Sequence, residues 1–464
     1  MIIDQYGEND GMKILVAGNG KVGETLAKEL ADEGHDITLI DRDPAVLEAS
    51  AGKYDVMTLQ GNCASMETLR DAGVGTSDLL IAATGSDELN LLTCLTAHSM
   101  NGKLHTIARI HNPEYMGQVY EMRDRFGLSM TFNPEQQTAV EIDRLLKFPG
   151  FLKRDTFAHG RLEIVELKID AKSKLCDQPL SNLPGIVDCR ALICAVSRDG
   201  VTYTPNSGQF TLKEGDRIFV TASSDDLSTL LRNLGIVTHK VKRVMLVGGG
   251  TVSYYLAEKL LARRVSVSII ERDPGQAQYL ADVLPGADVI LGDASRQTLL
   301  DSEGIADSDA VVSLTGLDEL NILVSVYANR RGIPQTVTKL GRMEDTSIIE
   351  NLPVGSIVSP RKLSVNNIVR YVRAMQEQTG AAVAVHHIAD GQAEAIEFHL
   401  DGSAANTGVP LKNLSLKQNI LIAGILRGSE VIIPGGNTTF RAGDTVVIVV
   451  SGDTVLLRFN DVFE

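Results

Sequence analysis

Three glycines near the N-terminus have the spacing of a dinucleotide-binding turn. Gly18, Gly20 and Gly23 form a G-x-G-x-x-G pattern that follows an apolar strand, 14–17, and opens an amphipathic helix. The first glycine allows a tight turn, the second lets a pyrophosphate approach the backbone, and the third permits close packing of helix and strand. The amides at the start of such a helix bind anions, so this pattern predicts a phosphate site.

An acidic residue at the end of the second strand extends the pattern. Asp41 follows an apolar strand, 37–40, about 20 residues beyond the glycines, where a carboxylate accepts hydrogen bonds from a ribose diol. Its charge would repel a 2′-phosphate and therefore favours NAD over NADP, although the neighbouring Arg42 weakens this preference. The alternative is a Rossmann scaffold that holds no nucleotide.

Other polar residues follow the remaining strands. Ligands of open α/β sheets lie outside the carboxyl ends of the strands, which is where these residues are expected. Arg109 and Lys21 could each contact a phosphate, and for both a solvated surface position is the alternative reading. The first set of candidate nucleotide-binding residues is Gly18, Asn19, Gly20, Lys21, Val22, Gly23, Asp41, Asn62, Cys63, Thr84 and Arg109.

The second half of the chain repeats the first. The segment 13–30 aligns with 243–260, DRDP aligns with ERDP, and ATGSDELNLL aligns with LTGLDELNIL, all at a nearly constant offset. The repeat continues in the following segments, where Arg198 and Gly215-Asp216 correspond to Arg427 and Gly443-Asp444. The chain is therefore predicted to contain a duplicated pair of domains, in the order A-B-A′-B′.

The second copy changes part of the glycine motif. Ser253 replaces the third glycine, and Lys339 takes the place of Arg109. The added atoms of Ser253 should crowd the turn, so we expect weaker or more permissive binding there; a copy that no longer binds nucleotide is the alternative. The second set of candidate residues is Gly248, Gly249, Gly250, Thr251, Val252, Glu271, Asp293 and Thr315.

Two patterns of apolar residues predict the fold class. In A and A′, short apolar strands alternate with helices, which is typical of βαβ units and a parallel sheet. In B and B′, apolar residues alternate with polar ones, which indicates a small antiparallel sheet. We expect an α/β protein with two Rossmann-like doubly wound parallel sheets, each followed by a small α+β domain. The predicted segments are an N-terminal extension 1–11, A at 12–134, a connecting helix 135–154, B at 155–238, A′ at 239–360, a connecting helix 361–380 and B′ at 381–464.

Charge and composition exclude several classes of protein. The net charge of −15 argues against general binding of DNA, RNA or anionic lipid. The apolar runs are much shorter than the roughly 20 residues that span a membrane, and the first residues lack the features of a signal peptide. The five cysteines lack metal-binding spacing and are expected to be buried, reduced thiols, so no metal site is predicted.

Residues for catalysis are not apparent in the sequence. It offers no His/Asp or Tyr/Lys arrangement for hydride transfer, and its paired acids, Asp87-Glu88 and Asp318-Glu319, fit helix capping and helix-dipole roles. We therefore do not expect an enzyme. An NAD-dependent dehydrogenase and a redox-sensing regulator without a channel partner are the alternatives.

The motifs together resemble a known family. MKILVAGNGKVG, LIDRDP, ATGSDELN and ARIHNPEY resemble the nucleotide-binding half of an RCK domain (regulator of potassium conductance, also called KTN), and B resembles its C-terminal subdomain. A tandem of two RCK domains is similar to the regulatory subunits of bacterial Trk potassium-uptake systems. The resemblance implies binding of NAD(H), or of ATP or ADP, a membrane potassium-translocating partner, and a homo-oligomeric ring of two or four chains. It also implies a cytoplasmic location on the inner face of the membrane. No nucleic-acid partner is expected, because the net charge is −15.

Overall fold

The computed structural model divides into two compact units, 11–138 with 360–369 and 139–359 with 370–464. The expected extension 1–11 lies outside the described residues except for its last residue. In the described part of the chain, no helix combines the length and the apolar character that crossing a bilayer requires. The structure describes residues 11–147, 153–171, 173–205, 207–223, 226–234, 241–341, 349, 352–375, 382–389, 392–452, 456 and 458–464.

The first unit is built on a six-stranded parallel sheet in the order β3-β2-β1-β4-β5-β6. The strands are β1 Lys13–Ala17, β2 Asp36–Asp41, β3 Met57–Gln60, β4 Leu79–Ala82, β5 His105–Arg109 and β6 Met130–Phe132. The helices are α1 Lys21–Asp32, α2 Pro44–Ala51, α3 Met66–Asp71, α4 Asp87–Met100, α5 Pro113–Glu121 and α6 Pro134–Lys147, the last of which continues into the second unit. The strand order reverses between β1 and β4, and ligands bind at such a switch point.

An antiparallel sheet follows in the chain and belongs to the second unit. Its strands are β7 Lys153–Phe157, β8 Leu162–Lys168, β9 Ala191–Arg198, β10 Val201–Tyr203 and β11 Arg217–Ser223, in the order β10-β9-β11-β8-β7. Two short helices, α7 Leu183–Ile186 and α8 Leu227–Asn233, accompany it.

A second parallel sheet repeats the first, in the order β14-β13-β12-β15-β16-β17. The strands are β12 Arg243–Val247, β13 Ser266–Glu271, β14 Ala287–Leu291, β15 Ala310–Ser313, β16 Gln335–Lys339 and β17 Ser356–Val358. The helices are α9 Thr251–Ala262, α10 Pro274–Val283, α11 Gln297–Ser302, α12 Asp318–Arg330 and α13 Pro360–Met375.

A second antiparallel sheet completes the chain. It contains β18 Ala382–Ile388, β19 Ala393–His399, β20 Ile420–Arg427, β21 Glu430–Ile432 and β22 Thr445–Ser451, in the order β18-β19-β22-β20-β21. The predicted fold class, two Rossmann-like sheets each followed by a small antiparallel sheet, is confirmed.

The two antiparallel sheets share one hydrophobic core. Phe157 and Phe219 of the first sheet pack in the same buried cluster as Ile388, Val447 and Val449 of the second. The backbone amide of Ala158 also donates to Glu397 over 2.9 Å. No local pattern predicts this pairing, because its residues lie more than 200 positions apart along the chain.

The duplicated Arg and Gly-Asp residues form an ion pair in each antiparallel sheet. Asp216 is 1% exposed and accepts two hydrogen bonds of 2.7 Å from Arg198 and one of 2.8 Å from the amide of Lys213. Asp444 and Arg427 form the same pair in the second copy. This part of the repeat therefore has a structural explanation.

Candidate functional site

The first glycine-rich turn joins β1 to α1 and needs glycine at two positions for steric reasons. Gly18 has φ +98°, and a methyl group there would lie 2.9 Å from the backbone nitrogen of Thr84. A methyl group at Gly23 would lie 1.8 Å from the carbonyl oxygen of Gly18. These two glycines therefore allow strand, turn and helix to pack together.

The middle glycine faces open space. No heavy atom lies within 4 Å of the position that a Cβ of Gly20 would take. Gly20 is the N-cap of α1, makes no side-chain cap hydrogen bond, and precedes the exposed Lys21 and the half-buried Val22. A helix N-terminus with uncapped amides and room beside it fits a phosphate group.

Asp41 lies against this turn, at the end of β2. Its Oδ2 accepts a 2.6 Å hydrogen bond from the amide of Asn19, and its Oδ1 accepts a 3.0 Å bond from the amide of Asp43. The carboxylate thus fixes the turn, and each oxygen keeps a lone pair for a further donor. Contact with a ribose diol stays a prediction.

The side chain of Asn19 has a structural role. It is 5% exposed, and its Nδ2 donates to the carbonyl of Val46 over 2.8 Å and to Ser50 Oγ over 2.9 Å. These bonds hold α2 against the turn. A ligand can therefore contact the backbone of Asn19 more readily than its side chain.

The candidates after β3 differ in exposure. Asn62 is exposed, and its Oδ1 accepts from the amide of Ala64 over 3.3 Å. Cys63 is 5% exposed and accepts a hydrogen bond from Thr93, and burial raises the pKa of its thiol. Asn62 is thus available to a ligand, whereas Cys63 belongs to the core.

A buried asparagine outside the predicted set connects the ends of β4 and β5. Asn90 Oδ1 accepts from the amide and the hydroxyl of Thr84, at 2.9 and 2.6 Å, and its Nδ2 donates to the carbonyl of Arg109 over 3.0 Å. In the second copy, Asn321 makes the same bonds to Thr315 and Lys339. The sequence does carry a signal for this residue, since it ends the repeated DELN.

The paired acids at the start of α4 act partly as expected. Both lie in the first turn, where they favour the helix dipole, but the N-cap is Ser86, which accepts from the amide of Leu89. Asp87 instead accepts from the amides of His111 and Asn112, at 3.1 and 2.9 Å. It therefore anchors the loop that follows β5.

The second glycine-rich turn repeats the geometry of the first. Gly248 has φ +101°, and Glu271 accepts hydrogen bonds from the amides of Gly249 and Asp273, at 2.6 and 2.8 Å. A Cβ at Gly250 would again meet nothing within 4 Å. The longer carboxylate thus makes the same two backbone contacts as Asp41.

The other candidates of the second copy lie around this turn. Thr251 and Val252 open α9, and Val252 is 6% exposed. Asp293 is exposed, and hydrogen bonds from the amide and hydroxyl of Ser295 lower the pKa of its carboxyl group. Thr315 is half-buried beside the turn.

Ser253 occupies the place of the third glycine and is fully buried. Its hydroxyl donates a hydrogen bond to the carbonyl of Gly248, so its extra atoms have a partner in the turn.

If crowding dominates, Ser253→Gly should tighten nucleotide binding at the second turn. Calorimetry in an Asp41→Ala background, which weakens binding at the first turn, measures this change. Weaker binding by Ser253→Gly would contradict crowding and assign the effect to the lost hydrogen bond.

The described residues contain no group of acidic, cysteine and histidine side chains that could hold a metal ion. All five cysteines are free. Cys63, Cys94 and Cys194 are buried as expected, whereas Cys176 and Cys189 are only partly buried. Burial raises the pKa of both Cys94 and Cys194 to about 12, so these thiols stay protonated at neutral pH.

Comparison with known proteins links both copies to one family. The family model of the TrkA-N domain matches residues 14–134 and 244–360, and that of the TrkA-C domain matches 164–235 and 405–459. The Trk system potassium uptake protein TrkA of Haemophilus influenzae is 33% identical over 449 residues, which cover 95% of this chain and 96% of that protein. A Trk system potassium uptake protein TrkA homolog of Archaeoglobus fulgidus is 31% identical and covers 96% of this chain and 98% of its own.

Solved structures with this fold include ion-channel domains. The crystal structure of the GsuK RCK domain matches with a TM-score of 0.61 at 16% identity, over 96% of this chain and 94% of its own. A structure of the GsuK channel bound to NAD also matches with a TM-score of 0.61 at 16% identity, over 96% of this chain and 78% of its own. At this identity the likeness shows the fold alone.

Proposed function

The chain belongs to the family of Trk system potassium uptake proteins TrkA, and we propose that it regulates a membrane potassium-translocating subunit in response to bound adenine nucleotide. The observation that carries this proposal is the family relationship over nearly the whole chain, combined with two glycine-rich turns that both open to free space. A regulator of this kind needs ligand sites and a partner to act on. The two glycine-rich turns would supply the ligand sites.

The residues of the first turn fit a dinucleotide. The uncapped N-terminus of α1 beside Gly20 would bind the pyrophosphate, and Asp41 would accept hydrogen bonds from the adenosine ribose. NAD(H) is the proposed ligand; ATP and ADP share its adenosine ribose and phosphates and are the alternatives. Gly250 and Glu271 would do the same in the second copy.

The nucleotide would act by shifting a conformational equilibrium. A ligand shifts such an equilibrium only through its different affinities for the two states. We propose that α6 and α13 carry the change, because each begins in the first unit and ends in the second. The regulated assembly would be a homo-oligomeric ring of two or four chains on the inner face of the membrane.

We propose that the domains have the limits expected from the sequence. These limits are 12–134 for A, 155–238 for B, 239–360 for A′ and 381–464 for B′. The predicted connecting helices then correspond to segments that begin with α6 and α13. Catalysis is not part of the proposal.

Asp41→Ala should weaken NADH binding at the first turn. Hydrogen bonds to a charged group contribute roughly 1.5–3 kcal/mol, so we expect the dissociation constant to rise about 10- to 150-fold. Calorimetry in a Glu271→Ala background isolates the first turn, and Asp43→Asn, which keeps the backbone amide, is the matched control. A dissociation constant unchanged by Asp41→Ala would contradict the assignment of the ribose site.

The proposed function is tested in two steps. Mass spectrometry of nucleotide released from protein purified without added ligand should identify the bound species. Potassium flux through the reconstituted membrane subunit should then respond to that nucleotide in the presence of this protein. A potassium flux that does not change with NADH, NAD, ATP or ADP would overturn the proposal. So would a flux that responds equally when the Asp41→Ala/Glu271→Ala variant replaces this protein. Production of NADH from small alcohols or hydroxy acids would favour a dehydrogenase instead.

A further inference from the structure

An ion pair at the end of β5 uses only part of the hydrogen-bonding capacity of its two side chains. Arg109 Nη2 donates to Glu135 Oε1 over 2.9 Å, and the two side chains are 22% and 23% exposed. Arg109 Nε and Glu135 Oε2 are both buried and have no hydrogen-bond partner among the described residues. Leaving such atoms unpaired costs free energy, so the pair is poised to exchange partners. We call Arg109 and Glu135 the latch pair.

The order of the strands determines the direction in which Glu135 holds the side chain of Arg109. Glu135 lies in the first turn of α6, directly after β6, and β6 lies on the side of β5 away from β4 and β1. Neighbouring strands are about 4.8 Å apart, so a bond to Glu135 holds the guanidinium toward β6. The switch point between β1 and β4, with the turn at Gly20, lies in the other direction.

The second copy has the opposite charge at the helix position. Lys339 takes the place of Arg109, and its ammonium group donates to the backbone carbonyl of Leu314 over 3.0 Å. Arg361 takes the place of Glu135, since it follows the proline that begins α13 as Glu135 follows the proline that begins α6. Acid and base therefore face one another in the first copy, whereas both positions are basic in the second.

Two further hydrogen bonds hold the first turn of α6 within the first unit. Asn133 caps the helix by accepting from the amide of Gln136 over 2.8 Å, and Ser364 of α13 donates to Gln137 Oε1 over 3.3 Å. In the second unit, the far end of the same helix is held by the bond from Gln335 to the carbonyl of Leu145 over 2.7 Å. A change at Glu135 thus acts on a helix that both units hold.

We propose that Glu135 competes with the phosphate groups of a bound nucleotide for Arg109, so that Glu135 sets the charge that the first site accepts and is released when the site fills. This inference rests on the proposed function and adds a specificity-determining residue to it. The phosphates of a bound nucleotide offer Arg109 charge-assisted hydrogen bonds of the same kind as its bond to Glu135, and they add an acceptor for its unpaired Nε. Release of Glu135 then removes one of the contacts that hold the first turn of α6. In the second copy the equivalent position is basic, so this competition is specific to the first site.

The test uses the full chain in a Glu271→Ala background, which leaves the first site to be titrated alone. Glu135→Gln keeps the shape of the side chain and removes its charge. Calorimetry with ADP should show binding about 3- to 10-fold tighter for Glu135→Gln, because binding no longer has to break the partly exposed ion pair. Arg361→Gln, which removes the opposite charge at the equivalent position, should leave ADP affinity at the first site unchanged.

Two further readouts separate competition from a general loosening of the helix. In an Arg109→Ala background, Glu135→Gln should give no gain in ADP affinity. Hydrogen exchange of the amides in the first turn of α6 should rise when ADP saturates the Glu271→Ala protein, and should already be high without ADP in Glu135→Gln. An equal gain with and without Arg109, or exchange that ADP leaves unchanged, would overturn the competition.

The outcomes also distinguish a failure of the competition between Glu135 and phosphate from a failure of the proposed function. If the Glu271→Ala protein binds NADH and ADP but Glu135→Gln binds ADP no more tightly, the competition is wrong and the nucleotide site stands. If neither nucleotide binds any variant, the proposed function fails, and the inference fails with it.

Discussion

Gly18→Ala is expected to lower the free energy of unfolding of the first unit by about 2–5 kcal/mol. The backbone at this position has φ +98°, which costs an L-residue roughly 1–2 kcal/mol. The new methyl group would lie 2.9 Å from the nitrogen and Cα of Thr84, and overpacking of this kind costs about 1–3 kcal/mol. Hydrogen exchange of the β1 and β4 amides under increasing denaturant measures the loss.

Gly20→Ala is the matched control for this prediction. Its Cβ would meet no atom within 4 Å, and the φ of −75° suits any residue, so the unfolding free energy should stay within about 0.5 kcal/mol. The methyl group would, however, occupy the space proposed for the pyrophosphate and should weaken NADH binding. Equal destabilisation by the two substitutions would show that the steric reading of the turn is wrong.

Asp216→Ala is expected to destabilise the first antiparallel sheet by about 3 kcal/mol. The carboxylate is 1% exposed and accepts two bonds from Arg198 and one from the amide of Lys213. Removing one partner of a buried pair costs roughly 3–5 kcal/mol, and the 26% exposure of the Arg198 side chain places the effect at the lower end. Denaturant unfolding followed by hydrogen exchange in β9 and β11 provides the measurement.

Two variants control for position and for charge. Glu214→Ala changes an exposed acid in the same turn and should cost less than about 0.5 kcal/mol. Asp444→Ala removes the equivalent carboxylate in the second copy and should match Asp216→Ala, because Arg427 and the amide of Arg441 bind it in the same way. A mild effect of both aspartate variants would mean that the duplicated motif has no structural role.

Much of the fold could be predicted because local pattern and local structure agree here. The G-x-G-x-x-G turn, the acid at Asp41 and the alternation of strand and helix all specify the same parallel sheet. The duplication repeats each of these patterns, so the two copies support one another. The alternating residues of B likewise predicted β8, β9 and β11.

The features that escaped prediction depend on contacts between distant residues. The carboxylate of Asp87 accepts hydrogen bonds from the loop after β5, and Glu135 in the first turn of α6 pairs with Arg109 of β5. Neither partner can be read from spacing along one helix. The sequence analysis names Cys63 both as a buried thiol and as a candidate ligand contact, and only its packing against Thr93 of α4 assigns it to the core. Asn90 is the exception, since its recurrence as Asn321 in the second DELN motif is visible in the sequence alone.

The shared core of the antiparallel sheets has a consequence for how the protein forms during synthesis. Phe157 and Phe219 leave the ribosome long before Val447 and Val449, which cover them in the finished molecule. Contacts of such large sequence separation form slowly, and apolar surface awaiting its partner is prone to aggregate. The first half of the chain is therefore expected to depend on chaperones, or on transient self-pairing of nascent chains, until the second half is translated.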